Sequence, residues 1–250
     1  MFPKIADWSL FVAKVGLICE FILASINKED PNLHVISIDE KTGIQALERL
    51  EAKAPVSQGG HLRKEYEYQR HDTTTLIAAI NVEDGKVFNH ILGPTRTEED
   101  YSNFMKKTVY KLPEMDKIVV LSDQLNTHVS ESLVRWIGEM EGYDNAELGI
   151  KGESGFLKSM KTRKTFLERD FHRVRFLFTP KHCSWLNPIE NWFAKVQRHV
   201  ITNGNFSSVE QLELKIEVYI QFYNDCLSKP LKWKFKGFNK NKKLFNINCQ

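Results

Sequence analysis

At 250 residues with 42% hydrophobic and 27% charged content, the chain can bury a sizeable core and is too apolar for general disorder. The formal net charge of +3 is mild, but Lys and Arg gather around residues 158–175 and again over 229–243, which suits a polyanionic partner. Cys19, Cys183, Cys226 and Cys249 lack paired spacing, which argues against a disulfide framework or a cysteine zinc site and for a reducing cytosol.

Residues 8–26 form an apolar run interrupted by Lys14 and Glu20, with no small-residue cleavage site behind a basic start. The pattern predicts a buried or partner-packing helix rather than a membrane span, ended by Glu29-Asp30-Pro31-Asn32. Residues 34–38 follow as a buried β-branched strand that delivers Asp39 at or near its end, with Glu40, Lys41, Thr42 and Gly43 as the turn. Residues 54–60 have loop composition, residues 65–71 read as a strand, and 74–82 and 86–92 as a hairpin through Glu83-Asp84-Gly85. Thr97 caps a helix with Glu98, Glu99 and Asp100 in its first turn and Tyr101, Phe104 and Val109 on its apolar face. Residues 118–121 are a continuous apolar run of the kind covered on both faces in a central strand, with Asp123 just past its end.

Asn126 or Thr127 opens the next helix, with Leu133, Trp136, Ile137 and Met140 on one face. Residues 141–173 loosen into a glycine-punctuated, basic segment that reads as an insertion. Residues 174–178 form another strand, stopped by Thr179-Pro180. Asn187 as cap and Pro188 at the first position then start a helix that places Glu190 in its first turn, with Trp192, Phe193, Val196 and Val200 as the apolar stripe. Ser207 and Glu210 have the spacing of a capping box for a last helix to about residue 224, and residues 230–236 alternate basic and aromatic side chains.

Asp39, Asp123 and Glu190 are the acidic candidates. Taken singly, an aspartate after a strand is most often a turn residue, and Glu190 stands at capping-box spacing from Asn187, where it would only satisfy a backbone N–H. Taken together, carboxylates near the C-terminal ends of neighbouring strands converge on one crevice. Oxygen-only ligands suit Mg²⁺ or Mn²⁺, and two such ions about 3.5–4 Å apart would serve an in-line phosphodiester displacement.

The segments ISIDEKTGIQALER, EYEYQRH, VVLSDQLNTH and PKHCSWLNPIENWF together resemble the DDE-superfamily transposases of the bacterial insertion-sequence branch allied to mariner elements, over roughly residues 35–233. The resemblance implies an α/β, RNase H-like catalytic domain with a mixed five-stranded sheet flanked by helices. It implies that Asp39, Asp123 and Glu190 form a metal-binding triad, with Asp39 bridging two Mg²⁺ or Mn²⁺ ions. It further implies cleavage of DNA at transposon ends and strand transfer into target DNA, in the bacterial cytoplasm at the nucleoid. A homodimer stays open as an assembly, and no membrane partner is expected. On this reading residues 1–33 are a helical remnant or linker, 34–228 the catalytic domain and 229–250 a basic tail.

Two departures accompany the resemblance. The gap between Asp123 and Glu190 is about twice the usual one, in keeping with the insertion, and the helix-turn-helix that the resemblance leads one to expect is not read in the residues before Trp8. Candidate DNA contacts are Arg70, His71, His128, Lys158, Lys161, Arg163, Lys164, Lys181 and Asn187, each weighed against an ordinary surface or helix-start role. Trp185 reads as a packing residue, and His182 with Cys183 is too little for zinc. The rival functions are an RNase H-like nuclease or resolvase that stops at hydrolysis, and a truncated, non-catalytic DNA-binding or dimerisation remnant.

Overall fold

Alternating side chains divide one long strand, β1 (Leu33–Arg49), between two layers. Val35 faces one side while Ile36 and Ile38 face the other. β2 (Tyr68–Asn81) pairs antiparallel with β1, and β3 (Val87–Gly93) antiparallel with β2. On the other side of β1, β4 (Lys117–Ser122) and β5 (Val174–Phe178) continue in parallel, so the order is β3-β2-β1-β4-β5. The computed structural model describes residues 7–49 and 68–238. The segments read from sequence at 54–60, 65–67 and 239–250 lie outside these.

The ladders of β1 end at different places. Pairing with β4 stops at Ser37 opposite Leu121, whereas pairing with β2 runs on to Arg49. Asp39 therefore lies in mid-strand, yet just beyond the point where the parallel partner ends. The turn expected at Glu40 to Gly43 is not formed, because β2 carries the strand through it. A register shift between Lys41 and Ile44 absorbs the irregularity, with Gly43 at φ +63°. The two strands expected at 65–71 and 74–82 are one strand over the described residues, since Thr73 and Thr74 pair with Gln45 and Ile44.

The helices are α1 (Trp8–Ile26), α2 (Glu98–Val109), α3 (Glu131–Met140), the single turn α4 (Asn145–Leu148), α5 (Met160–Leu167), α6 (Ile189–Val196) and α7 (Val209–Phe222). α2, α3 and α5 cover one face, where Tyr101, Phe104, Ile137 and Phe166 close over Ile36, Ile38, Val120 and Phe176. On the other face α6 and α7 cover the β2 side through Trp192, Val196 and Ile216. α1 covers the β4 and β5 side, where Val15, Ile18 and Ile22 meet Val35, Val119 and Leu177. The central strands are thus dry on both faces, as the run at 118–121 requires.

Local signals are honoured with small shifts. Thr97 and Asp100 form the expected capping box. α3 is capped by Ser130 instead of Asn126 or Thr127, which lie in a short 3-10 turn, and α7 by Ser208 instead of Ser207. The segment 141–173 is not a loose insertion: Leu148, Leu157, Phe166 and Leu167 bury it against the core. α1 is long and apolar enough to cross a membrane by length and composition, but its stripe is spent on the sheet. Residues 229–238 run as an extended strap in which Leu231, Trp233 and Phe235 join the α1 cluster while Lys232, Lys234 and Lys236 stay exposed. Neither terminal piece is a free linker or tail over the residues described.

If α1 is a core helix, truncating its inward face must cost what a core truncation costs. Ile18→Ala is expected to lower unfolding stability by about 2–5 kcal/mol, whereas Leu10→Ala, 66% exposed, should stay within about 0.5 kcal/mol. Urea denaturation of the two variants makes the comparison.

Candidate active site

A polar residue in the middle of a buried strand needs partners, and Ser37 finds them 150 positions away. Its hydroxyl donates to Asn187 Oδ1 at 2.5 Å and accepts the Ile189 N–H at 2.9 Å. Asn187 Nδ2 in turn donates to Ile38 O at 3.0 Å and to Asp39 Oδ2 at 3.1 Å. The start of α6 is thereby tied to β1 beside Asp39. Asn187 is 1% exposed, so its side chain is a strut inside the protein and not a DNA contact. It also does not cap α6. The Glu190 N–H is bonded to the Asn187 backbone O at 3.1 Å, and α6 has no side-chain cap. Glu190 is exposed, and its carboxylate has no hydrogen-bond or ion-pair partner among the described residues. The capping-box role considered for it is therefore not what it performs.

Asp123 follows directly on β4, and its setting is built by the 3-10 turn Asn126–Val129. The Leu125 N–H donates to Asp123 Oδ1 at 2.9 Å, and His128 Nδ1 lies 2.7 Å from the same oxygen and 2.8 Å from Ser122 Oγ. His128 Nε2 is 3.0 Å from Glu40 Oε1, within ion-pair distance but off hydrogen-bond geometry. The imidazole is fully buried, roofed by the Tyr101 ring with centroids 4.3 Å apart. His128 thus faces two carboxylates and has no atom to offer a bound phosphate.

The charges follow from this arrangement. Burial works against a charged imidazole, but hydrogen bonding and charge from Asp123 and Glu40 push the His128 pKa up to about 9. For Asp123, burial is outweighed by the His128 hydrogen bond and charge and by the Leu125 N–H, which hold it below the usual carboxylate range. Asp39 goes the other way, raised to about 7 by burial and by the neighbouring Asp123 charge. Two carboxylates in mutual repulsion, one of them buried, form an oxygen donor set that a hard divalent cation would relieve. With Glu190 exposed, no three His, Cys, Asp or Glu side chains among the described residues are placed so that they could hold a metal ion together.

The other sequence candidates fall into two groups. Lys158, Lys161 and Lys181 are exposed, Lys164 is half-buried, and Arg70 is exposed and bonded to Tyr68 Oη at 2.9 Å. His71 Nε2 is 2.9 Å from Glu48 Oε2. Arg163, by contrast, is buried with Nη2 on Met160 Sδ at 2.8 Å. It therefore leaves the set of DNA contacts with His128 and Asn187, all three for the same reason.

Residues 34–213 match the family described as DDE superfamily endonuclease. The chain belongs to that family. No curated protein matches it. Among solved structures, the Mos1 strand transfer complex is similar at 16% identity and TM-score 0.50, covering 90% of this chain and 59% of that one. The Mos1 transposase paired-end complex with the left transposon end aligns at 15% identity and TM-score 0.52, with 90% and 62% coverage. The Mos1 mariner paired-end complex with Mn gives 15%, 0.51, and again 90% and 62%. At such identities the likeness establishes the RNase H-like fold, and the chain spans about three fifths of the length of those relatives. Within this DDE endonuclease the match begins one residue before Val35 and extends past Glu190, so it takes in Asp39, Asp123 and Glu190.

Sequence reasoning missed Ser37 and Glu40. Ser37 carried a usable signal, a lone hydroxyl in an otherwise apolar buried strand, whereas Glu40 was absorbed into a turn that does not exist. Removing the strut should be felt at once. Asn187→Ala leaves the buried Ser37 hydroxyl without its acceptor and is expected to cost about 1–3 kcal/mol in chemical denaturation. A second expectation concerns Asp39 in metal-free solution. Its folded pKa of about 7 stands above the ordinary 3.8, so between those values the native state holds a proton that the unfolded state has released. Stability therefore falls as pH rises through that window. Asp39→Asn lacks this loss. Its thermal midpoint in chelator should match wild type near pH 4 and exceed it above about pH 7.

Proposed function

We propose that this DDE endonuclease is the catalytic domain of a DNA transposase, which cleaves a phosphodiester at an element end and joins the freed 3′-hydroxyl to target DNA. The observation that carries the reading is the placement of Asp39 and Asp123 in mutual repulsion at the ends of the β1–β4 ladder, with the helix of Glu190 tied to the same strand. Asp39, Asp123 and Glu190 would hold the divalent ions, Mg²⁺ or Mn²⁺ and two in number. A Mos1 structure in the same fold was crystallised with Mn. When bound, the ions supply activation of the attacking oxygen and stabilisation of the leaving one.

The chain's own residues prepare that site. Asn187 and Ser37 tie Asp39 and the start of α6 together, so the backbone that carries Glu190 keeps its place beside Asp39 as substrate enters. His128 holds Asp123 ionised, and Glu40 balances the imidazolium from behind. Glu190, exposed and unbonded, is free to turn its carboxylate toward Asp39. Lys158, Lys161, Lys164 and Lys181, with Arg70 and His71 on β2, offer phosphate contacts on the flanks. The DNA partners on this reading are transposon ends and target DNA, the assembly a homodimer, and the setting the cytoplasm of a bacterium carrying the element.

Asp39→Asn, Asp123→Asn and Glu190→Gln should each lower Mg²⁺-dependent cleavage of an end-bearing duplex by about a thousandfold or more, the kinetic equivalent of several kcal/mol. Glu190→Gln should do so at unchanged stability, since Glu190 has no structural partner. Full activity in that variant would remove it from the triad. Cleavage without any joined product would favour a nuclease over a transposase.

A further inference from the structure

On one flank of the active site, positive charge outnumbers negative. Between α1 and α5, over the end of β5, lies a groove of about 980 Å³. It carries five cationic side chains, Lys14, Lys161, Lys164, Arg175 and Lys181, against two carboxylates, Asp7 and Glu168. Glu168 is already engaged, with Lys14 Nζ 2.6 Å from its Oε1. Lys164 has only a neutral partner, Gln124 Oε1, at 2.7 Å. Burial first, and then the Lys14 charge with a smaller share from Lys181, pull its pKa down to about 8 against the opposing charge of Glu168. Gln124 Nε2 donates to Thr179 O at 2.7 Å, which fixes the amide between the ends of β4 and β5. The Lys164 ammonium, which has no carboxylate among its hydrogen-bond partners, is therefore anchored to the residue next to Asp123.

The groove is not a simple charged trough. Leu10, Phe11 and Leu17 of α1 give it an apolar wall, in which Leu10 is 66% exposed over the described residues and Phe11 is half-buried. At the lip, His182 holds a φ of +62°, a conformation that non-glycine residues adopt at a cost and that gathers at ligand-binding segments. A small anion would use the lysines and leave the wall bare. A duplex shows phosphates outward and keeps its bases paired inside, so it too has no use for the wall. A single strand presents a charged backbone and free base and sugar faces at once.

We propose that the groove between α1 and α5 binds a single-stranded stretch of DNA, with its phosphates on Lys164 and Lys181 and its sugars and bases against Leu10 and Phe11. The proposal rests on the reading of the chain as a DNA-processing enzyme and adds the strand state and the path of the DNA beside Asp123. It gives α1 a role at the catalytic flank besides its place in the core.

The test is fluorescence anisotropy on the whole chain, in EDTA, with a labelled oligothymidylate of about ten nucleotides. In the Lys164→Gln, Lys181→Gln double variant, affinity should fall at least about tenfold. The slope of log K against log salt should flatten by about 1.4, at about 0.7 per phosphate on a single strand. Lys181→Gln alone, at an exposed position, should give half that change even if the double variant folds poorly. Leu10→Ser should weaken the single strand and leave a duplex of equal length unaffected. An unchanged salt slope in the lysine variants, equal loss for duplex in Leu10→Ser, or full displacement by millimolar inorganic phosphate would each overturn the proposal. Without divalent ions no cleavage enters the measurement. Lysine-dependent binding that persists in Asp39→Asn upholds the groove whatever that variant does to cleavage, so this inference and the triad can fail separately.

Discussion

The structure turns on one buried amide. Asn187 takes the Ser37 hydroxyl on its oxygen and gives its two N–H groups to Ile38 O and Asp39 Oδ2, while Ser37 accepts the first N–H of α6. Ser37 and Asn187 lie at or near complete burial, where each would be costly if left unpaired and where together they admit one arrangement. That arrangement fixes the distance between a strand early in the chain and a helix late in it. Core packing of Trp192 and Val196 on β2 would hold α6 against the sheet, but a hydrophobic contact is non-directional and would not set its first turn beside Asp39.

Because side chains alternate along β1, the same few residues build both sides of the site. Ser37 and Asp39 turn toward α6, whereas Glu40 follows Ile36 and Ile38 to the opposite face and meets His128 there. One strand thus carries a carboxylate that needs relief and another that stabilises a buried imidazolium. The result is a deliberate inequality: Asp123 is kept charged, and Asp39 beside it is pushed toward its neutral form. Perturbed groups of this kind gather at functional sites.

α1 and the strap 229–238 enclose the remaining flank. The strap is held by alternating aromatic anchors, Trp233 and Phe235, the latter 5.4 Å from the Trp185 ring in the loop that leads to Asn187. Ends of the described chain are therefore packed onto the loop that carries the strut. In this way the two terminal pieces, which composition alone would assign to a remnant and a tail, border the active site.

The sequence by itself determined the elements whose signals are local. The apolar run at 118–121, the Thr97 capping box, the hairpin through Gly85 and the helix at 8–26 needed no distant partner to be read. The three acids proposed as a triad were singled out through motif order and not through any single acid, and the family match spans all three. The tertiary structure decided what depends on pairing across the chain. β2 overrode the turn chemistry of residues 40–43 and made Asp39 a mid-strand residue. The hydroxyl of Ser37 drew Asn187 away from capping Glu190, and burial removed His128, Arg163 and Asn187 from the surface. In each case a local preference worth about a kilocalorie yielded to a buried polar group or ladder whose loss would cost more. Sequence spacing records the local preference alone.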